Sequence, residues 1–64
     1  MSMKTHTVRP GETLDSIARA YYGDGDLDVY IFQHNQTVIR DINRVYPGQV
    51  IAIPHVPFLK WLDR

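Results

Sequence analysis

The chain has 64 residues, 22% of them charged, with seven basic residues balancing seven acidic ones and no cysteine. That is one domain at most, with a thin core that buries only roughly 60% of the surface an unfolded chain this small exposes. It excludes a disulfide scaffold and a cysteine-based zinc site, and it gives no field of one sign to draw nucleic acid or anionic lipid.

The N-terminal stretch MSMKTHTVRP has no apolar segment of the kind a secretory signal needs, and the longest apolar runs are four residues, far short of a membrane span. The expectation is a chain made and first folded in a cytoplasm, with no nucleic-acid and no membrane partner. Thr5 to Val8 is rich in β-branched residues and ends at Pro10-Gly11, a turn signal, so it reads as a short strand. Leu14, Ile17, Ala18 and Tyr21 follow the i, i+3, i+4, i+7 spacing of one helical face. Thr13 is placed to cap that helix, Asp15 sits at the positive end of its dipole, and Asp15 and Arg19 form an i, i+4 pair in the favoured order. Gly23 suits the left-handed residue that ends it.

One acid of the run Asp24 to Asp28 can cap a second helix, on which Leu27, Tyr30, Ile31 and His34 share a face. The run Val29 to Phe32 is β-prone by itself. Asn35 suits the helix end. Gln36 to Tyr46 shows no clean period and reads as an ordered loop or an irregular helical turn. Pro47-Gly48 is a second turn, and Gln49 to Pro54 a second strand stopped by its proline. The order is strand, helix, helix, strand. Two strands alone are marginal, so both helices are expected on one face of the sheet. Residues 55–64 form a C-terminal extension with Val56, Phe58, Leu59, Trp61 and Leu62, a high apolar density for a tail.

Gly11-Glu12-Thr13-Leu14, Ile17-Ala18, Tyr22-Gly23, Asn35 and the run Pro47 to Pro54 stand in an order and spacing that resembles the LysM family over residues 5 to 54. The resemblance implies a small α+β domain of βααβ order, residues 1–54, and it implies binding rather than catalysis. LysM domains hold N-acetylglucosamine-containing glycans, peptidoglycan or chitin, in a groove between the first strand–helix turn and the loop after the second helix. By position, one wall is Gly11, Glu12 and Thr13. The other lies within Gln36 to Asn43, where Gln36, Thr37, Val38, Ile39 and Asn43 are candidates. Val38 and Ile39 are the apolar pair for an acetyl group. Where many glycan-binding members carry an aromatic after Thr-Leu, this chain has Asp15, and its groove loop has no aromatic before Tyr46.

Lys4-Thr5, Thr13-Leu14-Asp15, Tyr21-Tyr22-Gly23 and the Trp61 tail are in turn similar to the short tail protein X chains of contractile bacteriophages. That second resemblance implies a non-catalytic structural subunit of a phage tail or baseplate, a virion part made in host cytoplasm. It would join other tail proteins in multiple copies, with Phe58, Leu59, Trp61 and Leu62 docking on a neighbour. The alternative is a peptidoglycan-binding module at a bacterial cell wall. The plain readings stand beside these. Gly11-Glu12-Thr13 turns the chain and caps a helix whether or not it also binds. The aromatic tail either docks or folds back on its own core.

Three further patterns point away from chemistry. Asp24, Asp26 and Asp28 resemble the first half of a calcium loop, but Val29 and Asn35 stand where a glycine and an acid are needed. His6, His34 and His55 are too dispersed to form a ligand set, and His34 reads as a half-buried packing residue. Ser16 has no nucleophile-elbow context, and Glu12 with Asp15, the one candidate carboxylate pair, lies on an exposed turn. No enzyme activity, no metal and no cofactor is expected.

Overall fold

The computed structural model describes residues 3–56. Strand β1 (Lys4–Thr7) leads into helix α1 (Leu14–Tyr22), a 3-10 turn (Gly25–Leu27), helix α2 (Asp28–Gln33) and strand β2 (Val50–Ile53). The two strands pair antiparallel, with His6 opposite Ile51 and Lys4 opposite Ile53. Directly opposed residues share a face, so His6, Lys4, Ile51 and Ile53 point one way and Thr5, Thr7, Val50 and Ala52 the other. Ile51 and Ile53 are buried and Val50 is exposed, which puts both helices on the first face. Leu14, Ile17 and Ala18 from α1, Ile31 from α2, Val8, Ile39, Ile51 and Ile53 form one buried cluster. This is the α+β arrangement with order βααβ that the sequence implies.

Helix α1 begins at a reciprocal capping box. The Thr13 hydroxyl accepts from the Ser16 amide, and the Ser16 hydroxyl accepts from the Thr13 amide. It ends at Gly23, whose φ of 80° lets its N–H close back onto the Arg19 carbonyl. Asp15 and Arg19 form the expected ion pair at 2.9 Å. Of the acids after α1, Asp24 is the cap. Its carboxylate accepts from the Asp26 amide at the start of the 3-10 turn, which runs straight into α2. The β-prone run Val29 to Phe32 is helical, because burial of Ile31 and partial burial of Phe32 outweigh local preference.

Three placements differ from the pattern. Strand β1 starts and stops one residue early. Val8 nevertheless makes the last rung, donating to the Gln49 carbonyl at 2.8 Å and accepting from Gly48 at 2.8 Å. Tyr21 is not core but lies at the sheet margin, its ring edge-on to His6 at 5.4 Å between centroids and 5.7 Å from the Lys4 ammonium. Tyr22 takes the inner position, with its hydroxyl donating to the Pro54 carbonyl, and burial pushes its pKa up. His34 is exposed rather than half-buried, since α2 ends at Gln33 before that face reaches it.

Asn35 is the buried polar residue of the described chain, 5% exposed. Its Nδ2 donates to the carbonyls of Ile31 at 2.6 Å and Ala52 at 2.9 Å, and its Oδ1 accepts from the Ala52 amide at 2.8 Å. Ala52 faces the outer edge of β2, so Asn35 supplies the pairing that a third strand would give. More than a helix end, it ties α2 to the sheet.

Candidate functional site

The turn from β1 to α1 is held by its own side chains. Gly11 adopts φ 85°, and the Glu12 amide donates to the Arg9 carbonyl at 3.1 Å. Glu12 then folds back, its Oε1 accepting from the Arg9 amide at 2.8 Å and lying 2.8 Å from His6 Nε2. A carboxylate only accepts, so Nε2 carries the proton, and Nδ1 faces the Tyr21 hydroxyl at 3.0 Å. The His6 hydrogen bond, and after it the Arg9 amide, hold the Glu12 carboxyl below its ordinary value. Thr13 is engaged in the capping box. The side chains of this wall therefore serve the fold. What it presents outward is the backbone at Gly11, where an added Cβ would meet no atom within 4 Å.

The connection from α2 to β2 is built differently. The Asn35 carbonyl accepts from the amides of Val38 at 2.9 Å and Ile39 at 2.7 Å, a tight turn that drops Ile39 into the core. Asp41 turns the chain again, its Oδ1 accepting from the Asn43 amide at 2.9 Å and its carbonyl from Arg44 at 2.9 Å. Gln49 closes the segment. Its Oε1 accepts from the Tyr46 amide at 2.8 Å and its Nε2 donates to the Val38 carbonyl at 3.3 Å. Gln36 to Tyr46 is thus an ordered loop of successive turns, the first of them an irregular helical turn closed on the Asn35 carbonyl.

These anchors leave an open concavity of about 250 Å³ lined by Val38, Arg40, Asp41, Arg44, Tyr46 and Gln49. Val38 is 39% exposed and Tyr46 57%, so an aliphatic and an aromatic side chain meet the solvent side by side with polar groups around them. Val38 is the one predicted site residue in this lining. Ile39 is a correction: at 1% exposure it is a core residue and offers no surface to a ligand. Gln36, Thr37 and Asn43 are exposed on the same connection but outside the lining, as are Gly11 and Thr13 on the opposite turn; Glu12 lies half-buried there, held by His6 and Arg9. Both walls grow from one core, because Leu14 follows Thr13 and Ile39 follows Val38 in the same buried cluster. Arg40 and Asp41 lie within the expected wall of residues 36–43 without being singled out there, and Arg44, Tyr46 and Gln49 lie beyond it. The signal was Tyr46 itself, an aromatic set directly before Pro47-Gly48, whose turn folds it back beside Val38. The docking candidates Phe58, Leu59, Trp61 and Leu62 lie outside the described residues.

The βααβ unit is a small α+β domain with a solvent-facing concavity beside its long connection. The LysM domain family model matches residues 6–54, and the chain belongs to that family. It is 39% identical over 49 residues to the potassium binding protein Kbp of Escherichia coli O6:H1 (strain CFT073). The match takes in 77% of this chain and 33% of that protein, so the chain spans about a third of the relative's length. The likeness to contractile-tail proteins is carried by the sequence resemblance alone.

Proposed function

We propose that this LysM domain is a non-catalytic binding module for N-acetylglucosamine-containing glycan, peptidoglycan above all, working at the bacterial cell wall. Family membership supports the ligand class. The observation that carries the placement is the Val38–Tyr46 pair in the concavity beside Gln49, Arg40 and Asp41. Sugars combine apolar C–H faces with hydroxyl and amide groups, and an exposed aromatic flanked by polar side chains suits both. A volume of about 250 Å³ accommodates roughly one sugar residue of a longer strand.

The test is co-sedimentation of the purified chain with insoluble peptidoglycan. The intact protein is expected to sediment and to be released by soluble N-acetylglucosamine oligomers. Tyr46→Ala removes a contact worth about 1 kcal/mol, close to fivefold in affinity, without a loss of melting temperature. An intact chain that stays in the supernatant would sink the reading.

The second reading, assembly into a contractile tail or baseplate, draws on the Tyr21-Tyr22-Gly23 resemblance and on the aromatic tail. Its test is removal of residues 57–64, which spares the buried Val56. Particles assembled normally with the shortened chain would refute it.

A further inference from the structure

The concavity carries an excess of positive charge. Arg40 and Arg44 line it together with one acid, Asp41, a local net charge of +1 in a chain whose own net charge is zero. Asp41 offsets that charge only in part: its Oδ1 is engaged by the Asn43 amide at 2.9 Å, and its Oδ2 forms a loose, exposed ion pair with Arg44 Nε at 3.9 Å, beyond hydrogen-bond distance. Arg40 makes no ion pair among the described residues. Among the described residues, the Arg40 guanidinium and the terminal nitrogens of Arg44 are therefore open at the rim of the hollow that holds Tyr46 and Val38.

We infer that this rim is a carboxylate subsite, and that the domain prefers glycan bearing carboxylates, the peptide-stem carboxyls of peptidoglycan, over neutral N-acetylglucosamine polymer. The inference rests on the glycan reading above and gives it a direction. A guanidinium matches a carboxylate in geometry and binds it through two parallel N–H donors. A sugar resting on Tyr46 places a substituent of its ring within the same concavity as both arginines. The Arg44 side chain is 71% exposed, so the attraction is screened by salt and yields selectivity of a few-fold rather than absolute discrimination.

The experiment measures retention of the full chain on three matrices: peptidoglycan sacculi stripped of phosphate polymers, the same sacculi with carboxyls capped as methylamides, and chitin. Stripping the phosphate polymers separates carboxylate from phosphate as the source of negative charge. The intact chain is expected to bind stripped sacculi about fivefold better than capped sacculi or chitin, with the advantage fading as salt rises past about 0.3 M. The double variant Arg40→Gln with Arg44→Gln is expected to bind stripped and capped sacculi equally and to keep its melting temperature. Equal retention on stripped and capped sacculi, or a double variant that binds stripped sacculi as well as the intact chain does, overturns the carboxylate subsite and leaves the glycan reading standing. Failure on all three matrices overturns both.

Discussion

The two connections that leave this core solve the same problem in opposite ways. Between β1 and α1 the chain crosses a short turn, and nearly every polar side chain there is bound within it: Glu12 to Arg9 and His6, Thr13 and Ser16 to each other. Between α2 and β2 the path is much longer and is fastened at four points: Asn35, Ile39, Asp41 and Gln49. Between those fasteners Val38, Arg40, Arg44 and Tyr46 face the concavity. A turn that satisfies its own backbone is stiff but has little side-chain chemistry left. A long connection pinned at intervals keeps its shape and leaves the intervening side chains for a ligand.

The largest effect should come from the first fastener. Asn35→Ala strips the Ala52 amide and the Ile31 and Ala52 carbonyls of their partners in a buried site, and each such loss costs about 1–3 kcal/mol. The expected total is about 4 kcal/mol, most of what a domain this small has. Urea denaturation reads it, and a loss under about 1 kcal/mol would mean that the long connection is held elsewhere. Next is the contrast between neighbours. Ile39→Ala should cost about 3 kcal/mol, as large-to-small changes in a packed core do. Val38→Ala should leave the urea midpoint almost unmoved and weaken retention on peptidoglycan. If both variants behave alike, the division of the connection into fasteners and contacts is wrong. On the short turn, Thr13→Ala removes one half of the capping box and should cost about 1 kcal/mol with little change in retention.

The same contrast explains what the sequence discloses. Leu14, Ile17, Ala18, Thr13 and Gly23 are legible because helix periodicity and capping are local rules, and the structure places each of them where those rules put it. Asn35 was legible as a helix end and opaque as a sheet clamp, because its partner Ala52 lies 17 residues away and no local rule reaches that far. The expected walls fared unevenly for the same reason. Val38 and Ile39 are adjacent and equally apolar, and only the Asn35 turn decides which one the core takes. Tyr46 was placed beyond the groove loop and the two arginines were not singled out, because the folding back of the 41–49 stretch, set by Asp41 and Gln49, is what gathers them into one hollow. His6 was set aside as a solitary histidine, yet strand register places it against Glu12 and Tyr21.

That His6–Glu12 contact gives the smallest and most selective way to probe the short turn. The Glu12 carboxyl is held below its ordinary value of 4.5 in the folded chain, by His6 first and the Arg9 amide second. A carboxyl depressed by folding contributes stability that is fully present above its unfolded value and is lost as pH falls through the folded one. The loss therefore belongs to the acid range below about pH 4.5, and the contribution should be constant at higher pH as far as Glu12 alone is concerned. Glu12→Gln keeps a carbonyl oxygen for the Arg9 amide and removes the charge, so it isolates the ionic part. The urea midpoints of the two chains should differ at pH 6, and the difference should shrink as pH falls below about 4.5. Convergence by pH 6 would show that the carboxylate gives the turn nothing beyond a neutral hydrogen bond. A difference that does not shrink on acidification would place the effect in packing. If the turn is as self-contained as its hydrogen bonds indicate, retention on peptidoglycan at neutral pH should change far less in Glu12→Gln than in Tyr46→Ala, because the wall that Glu12 steadies presents its backbone and the wall around Tyr46 presents its side chains.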